Sequence, residues 1–498
     1  MGASQPQDSF NMAIRTVGPT STFPTITAAM AASGPNDQIV LEAGYSNETA
    51  WVTHNGMTIT GGATSKGILL HLDTGIPSVF LAGTAPIKIR DAADGNAIVG
   101  NDGNNIITVT GGADSVNGGL GNNDRLMVDY RLATGAVTGD STSNVSEAGG
   151  GGRLVTIVDG TIEHFTILTG SGVDTITTGA GDDIIRTGEG ASTVTAGQGA
   201  NTIVGGSGAD TITALDGGNR VLAGDGANIV TTGGGADTIT TGIGSDTIVA
   251  GGGNDFITVR GGADTANAGA GLDELTVSYS ALASNVTGGV TGGDALAGYT
   301  GSFGDGAANV VNFVETEMFR ILTGSGDDDI TTGAYRDHIS TGAGNDSIDA
   351  GSGHDFVWGG DDDDWIDGSA GNDTLYGDGG DDQLLGGLGR DVLEGGTGND
   401  AFIFSEASET MVGSDRDRIT DFTSGEDHID LSLMATNAGV AFTFIETAGF
   451  SNTAGEVREG TYSGNTFVAG DVDGDGAADF QIMLVGEHNL SSADFWMV

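Results

Sequence analysis

The chain has 498 residues, with 91 glycines, 6 prolines and no cysteine, and its 68 acidic residues against 16 basic ones give a net charge of −52. That balance excludes duplex nucleic acid as a partner, since nothing here covers a run of phosphates, and it demands neutralising cations if the chain is to be compact. The lack of cysteine excludes disulfides and thiolate metal sites, and no apolar run of about 18 residues marks a membrane span.

The first block, 1–93, predicts an N-terminal cap followed by short coils. Its start, Met1–Phe10, is polar and has no positively charged, apolar leader, so export is expected by a route without a cleaved signal. FPTITAAMAASGPNDQIVLEAG predicts a short helix over Thr25–Ala32, stopped by Gly34-Pro35. Strands are predicted at Gln38–Leu41, Trp51–His54, Met57–Thr60, Ile68–Leu72, Ser78–Leu81 and Pro86–Ile89. Such a cap blocks edge-to-edge pairing of the first coil.

From there a nine-residue period takes over. A short roll, 94–129, carries apolar residues at Ile98, Ile107, Val116 and, after one inserted residue, Leu126. A longer roll, 170–277, runs Ile176, Ile185, Val194, Ile203, Ile212, Val221, Val230, Ile239, Ile248, Ile257, Ala266 and Leu275. A third, 324–402, runs Ile330, Ile339, Ile348, Val357, Ile366, Leu375, Leu384, Leu393 and Phe402. Each apolar residue predicts a strand of about three residues with one side chain inward, and the glycine-rich half predicts a turn. Two units make one coil, and stacked coils make two parallel sheets around a thin core. The predicted fold is all-β: a parallel β-roll or β-helix solenoid with a short N-terminal helix cap.

Two inserts, 130–169 and 278–323, resemble one another. Each begins after a strand ending in Tyr130 or Tyr279 and returns through Glu163-His164-Phe165 or Glu317-Met318-Phe319 into TGSG. They are predicted as antiparallel hairpins on the flank. Residues 403–498 leave the nonamer and form a C-terminal module.

An aspartate precedes each inward apolar residue by two positions. The candidate metal ligands are Asp174, Asp183, Asp237, Asp246, Asp255, Asp264, Asp273, Asp328, Asp337, Asp346, Asp355, Asp364, Asp373, Asp382, Asp391 and Asp400. Stacking brings such carboxylates together one coil apart, and they repel unless a hard cation with oxygen ligands sits between them. Calcium is expected in a ladder along each edge, with folding coupled to it. Ser192, Asn201, Asn219 and Asn228, like Asn96 and Asn105 earlier, replace the aspartate with neutral groups that keep an oxygen but lose charge, so the calcium content of 190–229 stays open and its core and hydrogen bonds are expected to hold it. A further acidic turn holds Asp471, Asp473, Asp475 and Asp479. Its spacing suits part of a calcium loop, but Ile482 replaces the bidentate Glu, so a single calcium and a bare acidic turn both fit.

The pattern GGxGxDx(apolar)x resembles the RTX (hemolysin-type) calcium-binding repeat of proteins exported by Gram-negative type I secretion. That resemblance implies a β-roll that is disordered at cytosolic calcium and folds outside the cell, with the secretion machinery as a partner. RDRITDFTSGEDHIDLS and the residues after it resemble the C-terminal module of serralysin-type metallopeptidases, and Asp494-Phe495-Trp496-Met497-Val498 resembles the family's uncleaved export signal. The N-terminal block resembles the cap of parallel β-helix polysaccharide lyases and epimerases.

No HExxH or G-x-S-x-G motif is present, and none of the seven histidines pair at i, i+4. Lys66, Lys88 and Arg90, with Asp73 and Asp91, are the residues a polysaccharide lyase or epimerase would draw on, and that activity, or a role as accessory module to it, is the alternative reading. The reading favoured is a secreted, calcium-binding structural protein of the bacterial cell surface or matrix, with self-assembly or a cell-surface polysaccharide as its contact. An adhesin is a further alternative. So is an ice-binding protein, for which the exposed face would be Thr175, Thr177, Thr193, Thr195, Thr211 and Thr213.

Overall fold

In a computed structural model the chain is described over residues 12–62, 64–149 and 152–497. The segment Met1–Phe10 and the terminal Val498 lie outside the described residues. The chain divides into two compact units, Met1–Ile239 and Thr240–Val498. Each is a parallel β-solenoid, and in the first a short α-helix, Ile26–Ala31, follows the opening strand Ile14–Val17.

That helix begins where its cap chemistry dictates. Thr25 is extended and its hydroxyl accepts from the Ala28 N–H at 3.0 Å. Ile26, Ala29 and Met30 are buried, so the helix covers the entrance to the core.

In the first unit one sheet runs Thr49–Val52, Ile68–Leu72, Ile87–Arg90, Ile106–Val109, Arg125–Asp129, His164–Leu168, Ile184–Arg186, Thr202–Ser207 and Arg220–Asp225, every neighbour parallel. The opposite sheet stacks Thr175–Thr177, Thr193–Ala196, Thr211–Ala214 and Ile229–Thr231 in register. The threonines of the TxT pairs therefore fall in columns: Thr175, Thr193 and Thr211 in one, Thr177, Thr195 and Thr213 in the other. The β-branched residues suit a pleated surface. The inward series is closed to solvent, with Ile176, Ile185, Ile203 and Ile212 all at 0% exposure. Burying such a side chain is worth about 1.5–3 kcal/mol, but only stacking supplies the partner surface.

The second unit repeats the scheme. His338–Ala343, Phe356–Asp361, Thr374–Gly379 and Val392–Thr397 stack in one sheet. Asp329–Thr331, Ser347–Asp349, Trp365–Asp367, Gln383–Leu385 and Ala401–Ile403 stack in the other. The turns need glycine where coils touch. Gly360 has φ 124°, and a Cβ there would lie 1.8 Å from the Gly342 carbonyl oxygen one coil away.

Both inserts pair antiparallel as expected, but within the sheet and not on its flank. Asn144–Glu147 lies within the sheet, antiparallel to both Val137–Asp140 and Leu154–Ile157, which themselves pair in parallel with Thr175–Thr177 and Ala113–Asn117. Gly298–Gly304 sits in the same way between Thr287–Asp294 and Val310–Thr316. The insert is a sheet layer, because its edges meet open strand edges of the coils before and after it. The C-terminal residues also pair onto the roll: Arg418–Ile419 stacks on Val392–Leu393 and His428–Asp430 on Ala401–Ile403, with Phe495–Trp496 outside the latter.

Candidate metal centres

The aspartates form two rows in each solenoid, and the hydrogen bonding repeats from coil to coil. In the second unit one row is Asp328, Asp346, Asp364, Asp382 and Asp400. The Oδ1 of each later member accepts from the backbone N–H of the one before it, at 2.7, 2.9, 2.8 and 3.0 Å. The other row is Asp337, Asp355, Asp373 and Asp391, linked in the same way at 2.7 Å each. Asp264 accepts from Asp246, and Asp273 from Asp255, at 2.8 Å each. In the first unit Asp174 and Asp183 accept from the N–H groups of Val137 and Phe165, and Asp237 from that of Asn219. All these side chains are buried.

The second oxygen is the unusual one. At Asp264, Asp273, Asp355, Asp364, Asp373, Asp382 and Asp391 no donor reaches the buried Oδ2, whereas at Asp183, Asp328, Asp337 and Asp346 a threonine hydroxyl stands beside the carboxylate. An ionised carboxylate oxygen buried without a partner is costly, and rows of them repel. Glycine holds space beside it. A Cβ on Gly359 would stand 2.1 Å from Asp364 Oδ2, and one on Gly377 would stand 2.3 Å from Asp382 Oδ2.

The amide rungs show what belongs in that space. Asn201 Nδ2 donates to the carbonyls of Gly197 and Gly199, four and two residues back, at 3.0 and 3.1 Å. Asn219 does the same to Leu215 and Gly217, and Asn228 to Gly224 and Gly226. The turn carbonyls thus converge on a positively polarised group. Where aspartate replaces asparagine, the donor is lost and an anionic oxygen faces the same carbonyls. Carboxylate and carbonyl oxygens around a small space are a hard-cation donor set, and calcium there would supply the missing positive charge. The residues fit the ion.

Metal-free, the rows hold protons. Burial, reinforced by the aspartates one coil away, pushes Asp364 up to about 8 and Asp355, Asp373 and Asp382 up to about 7 from 3.8. A raised acid pKa means that the folded state binds more protons than the unfolded chain, so stability falls as pH rises from about 4 to about 8. In chelator, acidification from pH 8 to pH 5 is therefore expected to increase β-structure, and calcium affinity is expected to weaken over the same range because protons compete for the ligands. Circular dichroism and calorimetric titration at several pH values check both; a chelated chain that loses β-structure on acidification would contradict the assignment.

Several ladder members escaped the sequence reading. Asp114, Asp124, Asp210 and Asp417 each have the same buried, undonated Oδ2. All stand two residues before an inward apolar residue, at Val116, Leu126, Ile212 and Ile419, which was the available signal. Asp417 extends the second row across a 26-residue step, its Oδ1 accepting from the Asp391 N–H at 2.7 Å. Burial and the Asp391 carboxylate push it up to about 9. Asp427 extends the first row, accepting from the Asp400 N–H at 3.1 Å. Past each insert the rung is a glutamate: Glu163 accepts from Asp124 N–H at 2.7 Å, and Glu317 from Asp273 N–H at 2.9 Å.

In the acidic turn, single oxygens of Asp471, Asp473 and Asp479 lie within 4.8 Å of one another, and Asp475 is outside this group. Asp471 is buried and accepts from Gly474 and Gly476 N–H at 2.7 and 2.8 Å, which already satisfies its oxygens. Among the described residues no helix is long and apolar enough to cross a membrane.

The match to a repeat family agrees with this geometry. The RTX calcium-binding nonapeptide repeat (4 copies) matches at residues 92–124, in overlapping windows over 166–275, and over 322–403. Metallopeptidase AprA of Pseudomonas marginalis is 37% identical over 90 residues, which is 18% of this chain and 18% of that protein. The chain thus spans less than a fifth of that relative's length. Among solved structures, the AlgE6R3 subunit of the Azotobacter vinelandii mannuronan C5-epimerase is 26% identical, covering 33% of this chain and 80% of that one with a TM-score of 0.23. The extracellular lipase LipA from Serratia marcescens is 16% identical, covering 57% of this chain and 40% of that one with a TM-score of 0.18. With its buried carboxylate rows built from repeats of this kind, the chain is a secreted calcium-binding repeat protein carrying RTX nonapeptides.

Proposed function

We propose that this protein is a structural component of the bacterial cell surface or its matrix, exported by a type I system and folded by calcium once outside. The carrying observation is the pair of buried aspartate rows, in which Asp355, Asp364, Asp373, Asp382 and Asp391 each keep an Oδ2 that no donor reaches. A chain built this way cannot bury its carboxylates cheaply where calcium is scarce, which suits passage through a secretion channel unfolded. Outside, calcium converts the same residues into the spine of each solenoid. The seven named domains, from the cap 1–93 to the module 403–498, then serve as entry cap, calcium-ordered coils, sheet-layer inserts and terminal cap. The acidic turn at Asp471, Asp473 and Asp479 is a candidate for one further ion.

A structural role of this sort predicts assembly. Purified full-length chain, refolded in millimolar calcium, is expected to form sheets or filaments visible by electron microscopy and to disperse in chelator. A chain that stays monomeric in calcium at high concentration would defeat the surface-layer reading while leaving calcium-driven folding intact.

A further inference from the structure

Two buried polar side chains have no part in the ladder described so far. Tyr130 and Tyr279 open the two inserts and are 0% and 1% exposed, and among the described residues neither hydroxyl has a hydrogen-bond partner. A phenol buried without a partner is costly, and phenylalanine would fill the same space without that cost. Both inserts nevertheless carry the hydroxyl.

Register shows where the two rings lie. Val109 pairs with Val128 and Val128 with Ile167, while Val259 pairs with Val277 and Val277 with Ile321. Two residues further on, Tyr130 falls between Gly111 and Thr169, and Tyr279 between Gly261 and Thr323. In the coil after each insert this column is a threonine that serves the row aspartate five residues on. Thr169 Oγ1 donates to Asp174 Oδ2, and the Thr323 hydroxyl stands beside Asp328. In the coil before each insert the column is a glycine, and the row aspartate, Asp114 or Asp264, follows after only three residues. The shortened turn leaves room for a ring, and the phenol brings the hydroxyl that glycine lacks.

Asp114 and Asp264 are also the last of their row before the insert. Asp114 pairs with Val155 of the next layer and Asp264 with Val311, both buried, so no carboxylate follows. The carbonyl two residues back is drawn off as well: Gly112 and Gly262 accept from the Leu154 and Val310 N–H groups at 2.8 Å each. Each aspartate keeps a buried Oδ2 that no donor reaches. Burial, and after it the carboxylate of Asp114 or Asp264, pushes the Tyr130 and Tyr279 hydroxyls up. The other acids acting on them are already served: Asp91 by Thr110, Glu147 by Arg153 and Asp305 by Asn309.

We propose that Tyr130 and Tyr279 complete a terminal calcium site at Asp114 and at Asp264, each phenol oxygen taking the ligand place that the next coil fills elsewhere. A phenol is a neutral oxygen donor, so the ion is of the hard class that the carboxylates select. The inference rests on the calcium reading and extends it to ligands that lie outside the nonamer. Each row is then closed at an insert by a side chain and not left open to water.

The test compares Tyr130→Phe, Tyr279→Phe and the double variant with the parent, as full chains refolded in millimolar calcium. The readouts are hydrogen exchange resolved by peptide, melting temperature, and terbium luminescence excited through tyrosine. With calcium present, protection is expected to fall about tenfold or more over 110–118 in the first variant and over 260–268 in the second, and the melting temperature is expected to drop. In chelator the same variants should melt at an equal or higher temperature, because only an unpaired hydroxyl has been removed. Terbium luminescence should fall in each single variant and further in the double. A tyrosine that only fills space gives another pattern: protection and melting temperature equal or higher in both conditions, and luminescence unchanged. That pattern would overturn the proposal. Were it seen while the parent folds on calcium, the phenol sites would fail and the ladder would stand; a parent that folds without binding calcium would overturn both.

Discussion

In chelator the third roll is expected to lose its β-structure, and millimolar calcium is expected to restore it. The reason is local and additive. Asp328 to Asp400 in one row and Asp337 to Asp391 in the other place a buried carboxylate on every half-coil of the roll. Each uncompensated buried charge costs on the order of several kcal/mol, which is comparable to the whole stability of an ordinary domain. Protonation relieves part of this, as the raised values of Asp364 and Asp417 imply, but only below about pH 8 or 9. The loss should be uneven. Over 192–228 the rungs are Ser192, Asn201, Asp210, Asn219 and Asn228, and the asparagines carry their own donors to the turn carbonyls. Solenoid coils couple mainly to their neighbours, so this stretch should keep partial protection while 324–417 opens. Circular dichroism across a calcium titration, with hydrogen exchange resolved by peptide, measures both parts. Uniform protection in chelator would refute the calcium ladder.

The period carried most of this fold in plain sight. Nine-residue spacing of Ile, Val and Leu identifies the inward positions, and glycine identifies the turns, because both are local demands repeated on every half-coil. The ladder was legible for the same reason wherever the spacing was unbroken, as from Asp328 to Asp400. It was lost where chain is inserted between partners. Asp417 stacks on Asp391 across 26 residues and Asp427 on Asp400 across 27, and neither step shows a period. Glu163 and Glu317 were visible as matching residues of the two inserts, but nothing in sequence says that a longer side chain takes over the rung. The matching inserts predict hairpins, and their antiparallel pairing follows from that. Their place inside the sheet depends on which strand edges stacking leaves open.

Asp364→Asn and Asp364→Ala are expected to part in opposite directions when calcium is absent. Asparagine at this position would have the Gly360 and Asp362 carbonyls four and two residues back, the arrangement that Asn201 and Asn219 satisfy with Nδ2. It also removes the carboxylate that burial and its neighbours Asp346 and Asp382 disfavour. The metal-free chain should therefore gain protection around this coil, by about 1–3 kcal/mol, the usual scale for satisfying a buried polar group. The price is calcium: one rung no longer supplies an anionic ligand, so fewer ions bind. Alanine removes the charge but supplies no donor, and it also deletes the Oδ1 that accepts from the Asp346 N–H at 2.9 Å. That leaves the Asp346 N–H without its acceptor and the two turn carbonyls no better served than by aspartate, so the variant should be weakened both with and without calcium. Hydrogen exchange of the peptides spanning 346–382, together with calcium stoichiometry by calorimetry, separates the cases. If the two variants behave alike in chelator, the turn carbonyls do not converge on the space beside the carboxylate, and the cation has no site between the coils.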